Sequence, residues 1–321
     1  MKILIVPLNW GLGHATRCIP LVRQYLAKGD EVILGGTGAS LRLLDAQFPN
    51  LRTVELAPLN LRYSKRNSQV GAILRAIPQL IRFTRENRKR LKAFLAQETV
   101  DLIISDNCFG VYSDRCDCVY ITHQLHVLLP KPWRWLEPAA AALHARLYNK
   151  YKEIWVPDYK DAPNLSGILG HPKRLDPRVK YIGPLSRFTA AKPQEMSGSE
   201  AYDVVAVLSG LEPQRTLFEQ EIVARYTGKA ERVLIVRGLT DEPVIKIQHQ
   251  NITLVPYLDS ETLSGRFREA KCIIARSGYS TIMDLHALGL LAKAELHPTP
   301  GQPEQEYLAT IVLPLGVTHI A

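Results

Sequence analysis

The chain has 321 residues, 46% of them hydrophobic and 22% charged, with a formal net charge of +9. That length exceeds one ordinary core and suits two domains, and the composition excludes a disordered chain. No run approaches the ~18 unbroken apolar residues of a membrane span, and the short apolar start at 3–8 meets Gly11 and His14 at once, so neither a span nor a signal peptide is expected.

In chain order, residues 2–7 predict a buried strand. Residues 15–28 carry apolar side chains at helical spacing (Ile19, Val22, Leu26) and end at Gly29, a usual helix stop. Strands follow at 32–35 and 51–56. A long helix over 70–95 places Val70, Ile73, Leu74, Ile77 and Ile81 on one face, with a kink at Pro78. Strands at 101–105 and 119–122, a helix at 139–150 and a strand at 153–156 complete the first half. From 186 to 199 the pattern lapses into Ser, Ala, Pro and Gly, which reads as a linker. A second series follows: strand 204–208, helix 213–226 opened by Pro213, strands 233–236, 252–255 and 272–275, and a helix over 280–288. Repeated βα units imply α/β architecture. The expected domains are 1–185, with a doubly wound, Rossmann-like sheet, the linker 186–199, and a second such domain over 200–321. Ligands are then expected in a cleft at the carboxyl ends of the two sheets.

The charge is unevenly placed. Residues 61–92 hold ten cations (Arg62, Lys65, Arg66, Arg75, Arg82, Arg85, Arg88, Lys89, Arg90, Lys92) against one acid, Glu86, an excess of nine that equals the whole-chain value. One local basic face argues against a nucleic-acid binder. It fits either a solvated helix face or contact with an anionic membrane surface or a lipid-phosphate acceptor. The five cysteines are odd in number and their one close pair, Cys116 and Cys118, is a C-x-C. Free thiols are expected, not a disulfide framework or a zinc site. The compartment that fits is the cytoplasm, with peripheral contact at the inner face of a membrane.

Four segments could carry chemistry. Asn9-Trp10-Gly11-Leu12-Gly13-His14 follows the first strand and opens a helix. Gly11 and Gly13 allow a tight turn, and His14 at its mouth could take a proton near neutral pH, or merely order the loop. It is not a dinucleotide fingerprint, since Thr16 stands where the third glycine belongs and Leu34-Gly35-Gly36 replaces the acid after strand two. Arg276-Ser277-Gly278-Tyr279-Ser280-Thr281 also joins a strand to a helix and could cradle a diphosphate, with Asp284 one turn on for a ribose diol; an ordinary helix cap is the alternative. Pro298–Tyr307 is a Pro/Gly-set loop whose Gln302, Gln305 and Glu306 suit sugar hydroxyls. Ser209-Gly210, with Arg215, could face phosphate. No D-x-D or other acidic metal cluster lies near these loops.

In this order and on these strand ends the segments resemble GT-B glycosyltransferases, and specifically the family 28 group that includes the bacterial N-acetylglucosaminyltransferases of peptidoglycan assembly. The resemblance spans nearly the whole chain and is densest at 11–17, 209–215 and 275–309. It implies His14 as base, with Gly11 and Gly13 as its loop, and Asp106, Asn107 and His123 on the acceptor side. It implies that Ser209, Gly210 and Arg215 approach the diphosphate and that Leu258 meets uracil through its backbone. Ser277, Gly278, Ser280 and Thr281 would hold phosphate, Asp284 the ribose, and Gln305 and Glu306 the donor sugar. Glu306 departs from the two glutamines usual in the family. Such enzymes usually continue well past this loop, whereas here Ala321 stands twelve residues after Ala309, and a shortened member with impaired closure is expected.

The function that follows is inverting, metal-free transfer of a hexose or N-acetylhexosamine from a UDP-sugar, a co-substrate and not a cofactor, to a glycan or lipid-linked acceptor of the cell envelope. A nucleotide-sugar epimerase and a non-catalytic nucleotide-sugar-binding protein are the competing readings.

Overall fold

The computed structural model describes residues 1–59, 69–189, 201–240, 242–243 and 245–319. The chain divides into two compact units, Met1–Leu185 and Ser186–Ala321.

The first unit runs β1 (Lys2–Pro7), α1 (Gly13–Ala27), β2 (Glu31–Gly36), α2 (Gly38–Gln47), β3 (Arg52–Glu55), α3 (Gln69–Phe94), β4 (Leu102–Asp106), β5 (Asp117–Ile121), α4 (Glu137–Tyr148), β6 (Glu153–Val156) and β7 (Val179–Tyr181). Its strands form one parallel sheet in the order β3-β2-β1-β4-β5-β6-β7. Helices cover both faces, which is why Ile3, Leu4, Ile5 and Val6 are all fully buried and the strand reads as an unbroken apolar run. Leu4, Val6, Ile33, Ile103, Tyr120 and Ile154 share the core on one side of the sheet.

The long helix packs differently from its apolar pattern. Side chains before residue 78 lie outside the described set, so most of the expected stripe does too; Ile81, its last member, is exposed. The buried face is Phe83, Asn87 and Leu91, at i, i+4 and i+8. Asn87 is spent on loop backbone: its Oδ1 accepts from the Ala57 N–H (2.9 Å) and its Nδ2 donates to the Phe109 carbonyl (3.0 Å). The helix runs through Pro78 without ending.

The second unit runs β8 (Val204–Val207), α5 (Gln214–Tyr226), β9 (Val233–Val236), β10 (Ile247–His249), β11 (Ile252–Val255), α6 (Ser260–Glu269), β12 (Cys272–Arg276), α7 (Tyr279–Leu288), β13 (Ala294–His297), α8 (Pro303–Val312) and β14 (Thr318–His319). The sheet order is β10-β11-β9-β8-β12-β13-β14, parallel except for the antiparallel edge strand β10. Val204, Ala206, Phe218, Ile222, Ile235 and Ile274 form its core. In both sheets the order reverses beside the first strand, between β1 and β4 and between β8 and β12. Crevices that bind ligands in such sheets open at that point.

Two expectations change here. Ser186, Arg187 and Phe188, placed in a linker by composition, are buried parts of the second unit, while 190–199 lie outside the described residues. The segment after Ala309, where a shortened end is expected, completes α8 and then adds β14 beside β13, Glu295 opposite Thr318.

Candidate functional site

In the first unit the loop after β1 turns at Gly11, whose φ of +76° favours glycine. Gly13 is not part of that turn: it is the first residue of α1, with Leu12 as cap. His14 therefore stands in the helix's first turn, and Arg17 lies three residues on, along the same face. The sheet register supplies the third member. Pro7 pairs with Asp106, so the end of β4 delivers a carboxylate beneath the start of α1. Asp106 Oδ1 lies 3.0 Å from His14 Nδ1. Arg17 donates through Nε and Nη2 to the two oxygens of Asp106, and its Nη2 lies 2.8 Å from His14 Nδ1. Arg17 Nη1 is 3.3 Å from Nδ1 of His123, just beyond β5.

Two of the residues expected on the acceptor side lie behind His14. Asp106 was expected to line the acceptor side, but it is wholly buried, with Arg17 only 2% exposed beside it. His123, expected there too, is buried against Arg17. Both serve as a layer behind His14, whose side chain keeps a partial exposure of 16%. Asn107 takes a left-handed conformation (φ +52°) and its Oδ1 accepts from the Tyr120 hydroxyl at 2.8 Å. Burial would push the Asp106 carboxyl up, but the Arg17 charge and its hydrogen bonds outweigh that and hold it at about 2. His14 is pulled below the ordinary histidine value by burial first and the Arg17 charge second, with Asp106 acting the other way. Burial and the Arg17 charge both favour the neutral imidazole over the imidazolium.

In the second unit, the residues expected on the donor side lie in the loops after β8, β11, β12 and β13 and in the helices α5, α7 and α8. Ser209 and Gly210 follow β8, and Gly210 has φ +92° with open space where a side chain would stand. Arg215, in the first turn of α5, is held by Glu212, so a phosphate would have to compete with that carboxylate. Leu258 lies in the short loop between β11 and α6, next to Asp259, which caps that helix by accepting from the Thr262 N–H (2.9 Å).

The start of α7 is open in the same way as the loop at Gly210. Gly278 is its cap, provides no side-chain hydrogen bond, and has nothing within 4 Å of a hypothetical Cβ. Ser280 and Thr281 sit half-buried in the first turn. A first turn of this kind presents N–H groups and the positive end of the helix dipole. Ser277 does not cap it; its hydroxyl donates to the Gln305 carbonyl at 2.8 Å and ties α7 to α8. Asp284 is largely buried, accepts from the Ser186 hydroxyl (2.6 Å) and lies 3.4 Å from Arg187 Nε, so a ribose would have to displace Ser186. Burial pushes its carboxyl up. Gln302 and Gln305 bond to each other (2.6 Å), and Gln305 Oε1 accepts from the Thr299 N–H (2.8 Å), so this pair braces its own loop; Glu306 is exposed.

Arg276, the last residue of β12, has a role that sequence reasoning missed. It is buried, stacks on Phe218 (3.9 Å to the ring centre), and donates to the carbonyls of Pro298 (3.0 Å) and Gln214 (3.4 Å). It thus fastens the β13–α8 loop to the start of α5. Burial pushes its pKa down to about 10. Its place inside a motif after an apolar strand was the available signal. Among the described residues no three His, Cys, Asp or Glu side chains cluster as metal ligands would, and no helix is long and apolar enough to cross a membrane.

No protein-family model matches the chain. An uncharacterized glycosyltransferase of Methanosarcina acetivorans is 25% identical over 98% of this chain and 82% of its own length; a second from the same organism is 22% identical over 97% and 83%. Among solved structures, the calicheamicin glycosyltransferase superposes with a TM-score of 0.61 at 15% identity, over 99% of this chain and 85% of its own. The spinosyn rhamnosyltransferase, solved with thymidine diphosphate, gives 0.58 at 15% identity over 99% and 86%. The two parallel α/β sheets are those of the GT-B fold, and the chain is a glycosyltransferase.

Proposed function

We propose that the enzyme transfers a hexose or N-acetylhexosamine from a nucleotide sugar to an acceptor hydroxyl, with inversion and without a metal, in the manner of the family 28 group. The observation that carries this is His14: a partly exposed imidazole beyond the carboxyl end of β1, backed by a buried carboxylate 3.0 Å from Nδ1. Nε2 takes the acceptor's proton as its oxygen attacks the anomeric carbon, and the bond to the diphosphate breaks with its electron pair on the phosphate oxygen. The start of α7 at 278–281 and the loop at Ser209–Gly210 support a diphosphate that leaves as an anion; one well-placed backbone donor supplies about 3 kcal/mol. UDP is the nucleotide we favour from the sequence resemblance, and the thymidine diphosphate in a structural neighbour makes TDP-sugars the second group to test.

The acceptor side favours a glycan or lipid-linked substrate at the cytoplasmic face of a membrane. Of the basic stretch, Arg62, Lys65 and Arg66 lie outside the described residues, as does the Arg75 side chain. Arg88 and Arg90 are used for packing, on the Tyr112 ring and the Leu56 carbonyl. Arg82, Arg85, Lys89 and Lys92 remain exposed, and Trp133, Arg134 and Trp135 form a second exposed apolar-cationic segment suited to an anionic lipid surface. The deciding experiment is a calorimetric panel of UDP- and TDP-sugars followed by transfer assays with lipid-linked and soluble acceptors. Binding of one donor and its turnover only with acceptor supports the reading; turnover with donor alone, or binding without turnover for any acceptor, rejects it. Co-sedimentation with anionic vesicles at low salt tests the membrane contact.

A further inference from the structure

A buried ion pair is a poor stabiliser, since apolar side chains of the same volume do as well, so the presence of Arg17 and Asp106 behind His14 asks for another reason. The contacts supply one. A guanidinium has donors only, so His14 Nδ1 can satisfy Arg17, 2.8 Å away, only with its lone pair. It can satisfy Asp106, 3.0 Å away, only with a proton. In the first case the ring proton is on Nε2, which then cannot act as a base. In the second, Nε2 is free to accept.

We propose that Arg17 is a positioning residue for proton transfer: it fixes both oxygens of Asp106, to which His14 Nδ1–H donates, and its charge beside the ring opposes the imidazolium, so that Nε2 stays free and gains a proton only from the acceptor. This rests on His14 being the base. A carboxylate alone behind a histidine would strengthen its hold on protons; the guanidinium cancels that pull and makes the imidazolium short-lived. The groups that face the ring are Arg17 on α1, Asp106 at the end of β4 and His123 after β5, with the Cys18 thiol 3.8 Å from Asp106 Oδ2. Burial and the Arg17 charge pull the ring's proton affinity down together. In transfer, the acceptor O–H bond breaks as the bond from oxygen to the anomeric carbon forms. The proton goes to Nε2 while Nδ1–H donates to Asp106, and the imidazolium then releases the Nε2 proton to water.

The test is the pH dependence of kcat/KM in the full chain for wild type, Arg17→Met and Arg17→Lys, with His14→Ala as reference, and the His14 ring titration of each folded protein by nitrogen NMR. In Arg17→Met the acid limb and the ring titration should both move up by about one pH unit or more, because Asp106 then faces His14 alone. Arg17→Lys keeps the charge and should hold both within a few tenths of wild type, whatever it costs in rate. If His14→Ala is inactive but neither limb nor titration moves in Arg17→Met, the Arg17 proposal fails and the base assignment stands. If His14→Ala keeps full turnover, the base assignment fails, and the role of Arg17 in transfer with it. Should Arg17→Met not fold, Arg17→Gln, which removes the charge and keeps hydrogen-bond donors, is read the same way: limb and titration both rise if the proposal holds, and it fails if neither moves.

Discussion

Replacing Asp106 with asparagine would remove the carboxylate that pairs with the buried Arg17 guanidinium. Arg17 is 2% exposed and Asp106 not at all, and the guanidinium bonds both oxygens of that carboxylate. Removing one partner of a buried pair costs about 3–5 kcal/mol, and since asparagine keeps one acceptor for Arg17 the lower end, about 3 kcal/mol, is expected. For a unit of this size each kcal/mol moves the midpoint by about 2–4 °C, so its transition should fall by about 6–12 °C in calorimetry at neutral pH. A second variant separates charge from packing: Arg17→Met with Asp106→Leu should recover all but about 1–2 kcal/mol in urea denaturation. Wild type should show the same interaction through pH. The folded pKa is depressed, from 3.8 to about 2, so the contribution is present above the unfolded value and is lost as pH falls across that window. An Asp106→Asn protein within 1 kcal/mol of wild type, or a double variant no more stable than the single one, would refute the reasoning.

Three further outcomes follow from the same geometry. Gly110→Ala should cost more than about 2 kcal/mol in urea titration, because φ is +83° and the new Cβ would stand 2.3 Å from the Thr84 carbonyl oxygen; Gly210→Ala, also at positive φ but in open space, should cost about 1 kcal/mol. Gly278→Ala should fold as wild type, since φ of −75° suits any residue, yet weaken donor affinity tenfold or more in calorimetry, about 1.4 kcal/mol, by blocking approach to the first turn of α7. His144 is pushed down to about 4 by burial among aromatic rings, so stability should decline as pH falls from about 6.5 to 4, by up to about 3 kcal/mol, and His144→Phe should flatten that slope in denaturation curves at either end.

What could be read in the sequence was set by short-range pattern. The runs at 3–6, 204–207 and 272–275 announce buried parallel strands because both faces are covered, and the turn after β1 announces where His14 sits. Elements without such runs escaped. α2 has only Leu41, Leu43 and Leu44 to mark it, and β7, β10 and β14 are two or three residues long. α6 hides its buried face in Ser260, Leu263, Ser264 and Phe267, half of them polar. At the site, Arg17 looks like a surface cation on an amphipathic helix. Only the pairing of Pro7 with Asp106, 89 residues from Arg17, turns it into a buried partner. Asp284 likewise meets Ser186 across 98 residues, and no spacing rule reaches that far. Gln302 and Gln305 carry the right groups for sugar hydroxyls, but three-residue spacing on a helix start lets them satisfy each other.

The reversal of strand order beside β1 and β8 has an evolutionary corollary. The hydrogen-bonded ladder ends where the loops beyond the strands begin, so residues such as 9–12 or 298–302 can be exchanged without disturbing a single ladder register. Selection on substrate choice and selection on foldability then act on separate stretches of the same chain, and a new specificity can be grafted onto an old framework.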